Sequence, residues 1–274
     1  MSRGDRVAVS GNFSHSMREN YQQGVSEYYT KVGSTYRNPH FPGIRRCIFQ
    51  WLNKWWAMES ASDPNRRDRI VMFDMACVNK TRSGEATIAF QEWWQLGRRL
   101  FGSRIEPLLD QQPSGRLPQQ KPQIIPVPIG PDLGLPKILA ADPFTSAAYR
   151  DRVHLSCSAL SFKDIAEGAL PPPSTDELTH ETSPEPYPVI DIIICSFALH
   201  LVENPSELFS LLWELSSKAR WLVILAPHKK PEIKDGWGWN KWNVNAWESC
   251  RMVDNVPEIL NDRVHCRVYR SLNI

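Results

Sequence analysis

The order of apolar and polar residues follows two periods along this chain. In PGIRRCIFQWLNKWWAMES, residues 42–60, Ile44, Cys47, Ile48, Trp51, Leu52 and Trp55 recur at three- and four-residue spacing, the mark of a helix with one apolar face. Pro42 suits its first turn, where a missing N–H costs nothing. SGEATIAFQEWWQLGRRLF (83–101) and PSELFSLLWELSSKA (205–219) repeat the helical period. Other runs are short and almost wholly apolar: RIVMFDMA (69–76), KILAADPF (137–144), VIDIIICSFALHLV (189–202) and RWLVILAPH (220–228). Such runs predict strands buried on both faces of a sheet. VHLSCSALSF (153–162) predicts a further strand, TSAAYRDR (145–152) a short helix, and the alternating VHCRVYRSL (264–272) an edge strand. Strands separated mostly by helices predict an α/β fold: a doubly wound, mostly parallel sheet with helices on both faces, an N-terminal helical segment and a C-terminal edge strand.

Proline punctuates the pattern. The chain has 22 prolines, and the clusters at 111–136 and 171–188 exclude helix and central strand, so both are expected as inserted loops. The division expected is a tail and helical cap over 1–66 and one α/β domain over 67–274. YQQGVSEYYTKVGSTYRNPHF (21–41) adds a predicted helix broken near Gly33.

Composition narrows the function classes. The 32 Lys and Arg nearly balance the 30 Asp and Glu, so net charge gives no general reason for a nucleic-acid or membrane partner. The six cysteines contain no C-x-x-C pair, which argues against zinc ribbons and disulfide scaffolds, and no metal site is expected. The N-terminus lacks the apolar core of a secretory signal, and no run of about 18 apolar residues could span a bilayer. An intracellular chain, cytoplasmic or nuclear, is the expectation.

The strand ends carry the chemistry. The first ends at Asp74 and leads to Ser83, Gly84 and Glu85; the second ends at Asp142; the third near Ser158 and Ala159; the fourth runs Cys195 to His200. An acid after the second strand can accept bonds from both ribose hydroxyls, and small residues after the first allow backbone N–H groups to approach a ligand. The ordered series FDMAC, SGEAT, ILAADPF, CSALSF and DIIICSFALHLVENPSELFSLLWELSSKARWLVILAPH, spanning roughly 68–228, resembles the Rossmann-like (class I) S-adenosylmethionine-dependent methyltransferase family. The resemblance implies that S-adenosylmethionine is the cofactor. Asp74, Ala76 and Cys77 would border its methionine part, with Ser83 and Gly84 completing the loop. Asp142 would hold the ribose, Pro143 and Phe144 would flank the adenine, Ser158 and Ala159 would stand at its edge, and Cys195, Ser196 and Phe197 would line the pocket floor. It implies a lid from Tyr29, Tyr36, Arg37 and His40, a segment that reads equally as an aromatic helix packing on the domain, and makes His200 a candidate general base beside its more ordinary role as a structural histidine.

The chain departs from the family pattern D-x-[GA]-x-G-x-G after Asp74. Val78 and Lys80 fall on the second and third small positions, and only omission of Val78 to Thr81 restores a near fit, with Arg82 still where glycine is usual. Two functions therefore stand side by side: methyl transfer to a small molecule, protein or RNA, and a methyltransferase-like interaction module that has lost its cofactor. HKKPEIKDGWGWNKWNVNAW (228–247) interleaves lysines with tryptophans. It admits RNA binding by stacking and charge, or a loop whose tryptophans pack on the core.

Overall fold

The computed structural model describes residues 39–62, 69–75, 84–105, 123–172 and 187–274. Helices α1 (Phe41–Ser62) and α2 (Glu85–Ile105), the short helices α3 (Ser146–Val153) and α4 (Phe162–Ala166), and α5 (Pro205–Ser216) surround one sheet. Its strands are β1 (Val71–Met75), β2 (Lys137–Ala141), β3 (Ile190–Ser196), β4 (Ala219–Ala226), β5 (Trp239–Asn243), β6 (Glu248–Cys250), β7 (Ile259–Asn261) and β8 (Val264–Ser271). They run in the order β2-β1-β3-β4-β8-β5-β6, with β7 paired to β8.

The pairs β1·β2, β1·β3 and β3·β4 are parallel, whereas β8 runs antiparallel to β4, β5 and β7 and β5 antiparallel to β6, so the sheet is mixed. Two expectations are corrected. VHCRVYRSL is no edge strand, because β8 is bonded to β4 on one side and to β5 and β7 on the other. VHLSCSALSF forms no full strand. Its first residue closes α3, His154 turns left-handed at φ 60°, and only Ser158 pairs, bridging Ala141 in parallel.

Period-two alternation divides the apolar strand residues between two cores. Met72, Ile192, Ile194, Val223, Leu225 and Val268 face α1 and α2, while Phe73, Met75, Ile193, Cys195, Leu222 and Ile224 face α4 and α5. Burial on both faces explains why these strands read as unbroken apolar runs. Tryptophans knit the first core together. Trp51 stacks on Trp55 at 6.0 Å and meets Trp221 of β4 at 6.3 Å, and Trp221 also touches Trp242 and Trp247, each at 5.2 Å.

Local signals fix the helix starts. Asn204 caps α5 by accepting from the Ser206 N–H at 2.9 Å, with Pro205 following it. Ser161 and Asp164 form a reciprocal capping box on α4, with Ser161 N–H to Asp164 Oδ2 at 2.7 Å and Asp164 N–H to Ser161 Oγ at 3.2 Å. Gly43 lets α1 approach the β7–β8 turn, since a Cβ there would stand 2.6 Å from the Asn261 carbonyl oxygen. Among the described residues no helix is long and apolar enough to cross a membrane.

Candidate functional site

Strand order locates the site. From β1 the chain steps outward to β2 and then returns to place β3 on β1's other side. At such a reversal the crevice beyond the carboxyl ends of the strands is open to a ligand. Register brings Met75 of β1 level with Cys195 of β3, and Ala141 of β2 level with Met75. Asp74, Asp142, Cys195, Ser196 and Phe197 are thus gathered along one edge, joined through the Ala141 bridge by Ser158 and Ala159.

Each acid has a visible partner. Asp74, buried to 1 % exposure, accepts from the Thr87 N–H at 3.1 Å and the Thr87 hydroxyl at 2.7 Å. The carboxylate thereby satisfies a donor in the first turn of α2, where both unpaired N–H groups and the helix dipole favour negative charge. The Thr87 hydroxyl also lies 2.9 Å from the Tyr149 hydroxyl on α3. Gly84 sits between these elements at φ 79°, and a Cβ there would stand 2.5 Å from Val153 and 2.8 Å from the Tyr149 ring. Glycine is needed at this place for both conformation and space.

Asp142 turns one oxygen inward. Oδ1 accepts from the Phe144 N–H at 2.8 Å and the Thr145 N–H at 2.7 Å, which fixes the turn into α3. Burial raises its pKa, and those N–H groups and the Thr145 hydroxyl oppose the rise. Beside this turn opens a cleft of about 680 Å³. Asp142, Pro143 and Phe144 form one wall, Leu160, Phe162 and Ile165 another, and Ala198, Leu201 and Val202 a third, with Ser206 and Ser210 of α5 at its margin. A concave, mainly apolar cleft with a few polar groups is the common form of a small-molecule site. Leu160, Phe162, Leu201 and Val202 were missed from sequence, although they lie within four residues of Ala159 and Ala198. Thr87 and Tyr149 were also missed, and only the position of Thr87 in the first turn of a helix after an acid hinted at a role.

Along β3 the Cys195 thiol is fully buried, and burial pushes it up to about 12, far from a thiolate at neutral pH. Phe197 continues the ladder by donating its N–H to the Leu225 carbonyl at 2.8 Å, and its ring meets His40 at 5.1 Å. Among the described residues His40 is the expected lid residue, and it packs against this strand end. Tyr29, Tyr36, Arg37, Ala76, Cys77 and Ser83 lie outside the described residues. His200 packs edge-on against His228 at 4.9 Å, and burial followed by the His228 charge lowers it to about 4.

Segment 228–247 packs its tryptophans instead of presenting them. Trp239 is buried and donates its indole N–H to the Leu212 carbonyl at 2.7 Å; Trp242 and Trp247 meet Trp221, and Trp237 lies 6.0 Å from Phe209. Lys241 donates to the Asp254 carbonyl at 2.6 Å. The expectation of an RNA-stacking surface there finds no support, because those rings already have partners. Among the described residues no group of three or more His, Cys, Asp or Glu is placed to hold a metal ion.

No family model matches the chain. It belongs to one family with an uncharacterized protein of Schizosaccharomyces pombe, to which it is 38% identical over 266 residues, 96% of this chain and 95% of the relative. Among solved structures it is similar to magnesium protoporphyrin IX methyltransferase from Synechocystis PCC 6803 with bound SAM, 10% identical, covering 92% of each chain with a TM-score of 0.37. It is also similar to the N-methyltransferase NodS from Bradyrhizobium japonicum in complex with S-adenosyl-L-homocysteine, 10% identical, covering 86% of this chain and 100% of that one with a TM-score of 0.32.

Proposed function

We propose that the protein is an S-adenosylmethionine-dependent methyltransferase whose adenosine sits in the cleft beside Asp142. The observation that carries this reading is the coincidence of three features at one sheet edge: the strand-order reversal, an acid at the exit of β2, and a mainly apolar cleft next to it. Asp142 is one of the groups proposed to meet the ribose. Phe144 and Leu201 offer faces to the adenine, and Asp74 holds the first turn of α2 where the methionine part would lie. When bound, the cofactor would supply an electrophilic sulfonium methyl, which would pass to a lone pair on the acceptor as the carbon–sulfur bond broke and left a neutral thioether. Such an in-line displacement depends on positioning, so the chain's task is to align the partners and keep water out; His200 as a base is not required.

A second reading, a methyltransferase-like interaction module, draws on the loop residues Val78 to Thr81 and on the Asp142 oxygen already bonded to the next turn. The two readings part on ligand stabilisation. A ligand that binds only the folded state raises stability by about 2.7 kcal/mol at a hundred times its dissociation constant. S-adenosylhomocysteine is expected to raise the melting temperature of the intact chain, and Leu201→Trp, which fills the cleft, to abolish the rise. An equal rise in the variant would place the ligand elsewhere. No rise in either protein would favour the module.

A further inference from the structure

The fold leaves polar atoms unsatisfied beyond the carboxyl end of β3. Ser196 Oγ and His200 Nδ1 are both shielded from solvent without a hydrogen-bond partner among the described residues. Buried polar atoms of this kind cost free energy until a ligand or water completes them. Between them stands Phe197 at φ 57°, a costly conformation for a bulky residue and one that concentrates at ligand sites.

Positive charge gathers at the same edge. Arg267 of β8, 6 % exposed, donates to the carbonyls of Lys229 at 3.0 Å, Lys230 at 2.8 Å and Pro231 at 2.6 Å, and so pins the chain leaving β4. Lys230 N–H donates to His228 Nδ1 at 3.4 Å, which holds His228 near its contact with His200. The antiparallel register that sets Ala226 opposite His265 brings the Asp262–Arg263 turn to the β4 exit. The Arg263 charge acts on His40, whose ring meets Phe197. Arg263, Lys229 and Lys230 are exposed, and none makes an ion pair among the described residues. Asp262 lies within the turn, and Glu232 and Asp235 follow farther along the exit segment. The Arg267 guanidinium, buried against these carbonyls and bonded also to the Tyr269 side chain, adds to the positive potential.

We propose that this edge binds the oxyanion of a small, acidic methyl acceptor, held by Arg263 and the Lys229–Lys230 segment and completed by hydrogen bonds from Ser196 and His200. The proposal rests on the methyltransferase reading, because it names the acceptor's chemistry. Arg263 sets specificity. It touches the acid group, while the lone pair that receives the methyl lies elsewhere on the same molecule or on the acid itself.

The test uses the full chain and two probes, inorganic phosphate and malonate, with the imidazole resonances of His40, His200 and His228 followed by NMR. Saturable shifts are expected with at least one probe; phosphate alone would indicate a phosphate-bearing acceptor and malonate alone a carboxylate. Arg263→Asn, chosen because asparagine tolerates the left-handed turn, and Lys229→Glu should each weaken binding about tenfold, as for loss of a charged hydrogen bond, without lowering the melting temperature. Absence of saturable shifts with both probes, or unchanged affinity in both variants, would overturn the proposal. A parallel titration with S-adenosylmethionine separates the two claims. Cofactor binding without anion binding removes the acidic acceptor alone, and anion binding without cofactor binding removes the methyltransferase reading.

Discussion

Trp221→Ala is expected to destabilise the protein by about 3–5 kcal/mol, the usual cost of deleting a buried large aromatic ring. Trp221 is 1 % exposed in the middle of the sheet and joins layers that share no covalent neighbour. Trp51 approaches it from α1 at 6.3 Å, Trp242 and Trp247 from the β5 side at 5.2 Å each, and the Arg270 guanidinium stands 4.6 Å from its ring. Removing the ring leaves a cavity that no single neighbour can close, and it unseats the aromatics of segment 228–247. Urea unfolding followed by circular dichroism measures the loss. For a chain of this size the melting temperature should fall by roughly 10 °C. A loss under about 1 kcal/mol would mean that the tryptophan network does not anchor the fold.

The second large effect is on acid stability. Burial, reinforced by the His228 charge, lowers His200 to about 4, against about 6.5 in an unfolded chain. Between those values the unfolded state holds a proton that the folded state refuses. Stability is therefore complete above about pH 6.5, declines as pH falls toward 4, and stops declining below it. His200 is half-buried, so solvent screening reduces the contribution to on the order of 2 kcal/mol. Denaturant titrations at about pH 7 and about pH 4.5 should show a smaller acid loss in His200→Gln by that amount. The same loss in both proteins would show that His200 is not held neutral by its surroundings.

The strands β1 to β4 were legible because burial on both faces makes their residues almost uniformly apolar, and α2 and α5 because each presents an apolar face at helical spacing. β5 was not legible. Trp239, Asn240, Lys241, Trp242 and Asn243 mix polar and aromatic residues because that strand lies toward one end of the sheet, with Lys241 reaching the Asp254 carbonyl. β8 was read as an edge strand because His265 and Arg267 alternate with the apolar Val264, Cys266 and Val268 and so imitate a solvent face. Inside the fold, Arg267 caps three carbonyls, Arg270 lies over Trp221, and His265 meets Glu258 at 2.9 Å. A long polar side chain can satisfy its head group within the protein, and periodicity alone does not reveal that.

The site was legible in its acids and obscure in its walls. Asp74 and Asp142 stand at strand ends as expected, yet each also performs the more ordinary task of holding the next turn. The cleft walls Leu160, Phe162, Leu201 and Val202 carry no chemical signature, and only the packing of α4 against α5 exposes them together. His228 was visible only as part of a basic segment; its contact with His200 depends on the adjacency of β3 and β4.

Isothermal titration of the intact, folded chain with S-adenosylmethionine is the sharpest test of the proposed methyl transfer. Saturable one-to-one binding is expected, weakened in Asp142→Ala by about 1.5–3 kcal/mol for each hydrogen bond lost to the charged group. Heat indistinguishable from dilution at millimolar cofactor would contradict the proposed function, and unchanged affinity in Asp142→Ala would contradict the proposed placement of the ribose.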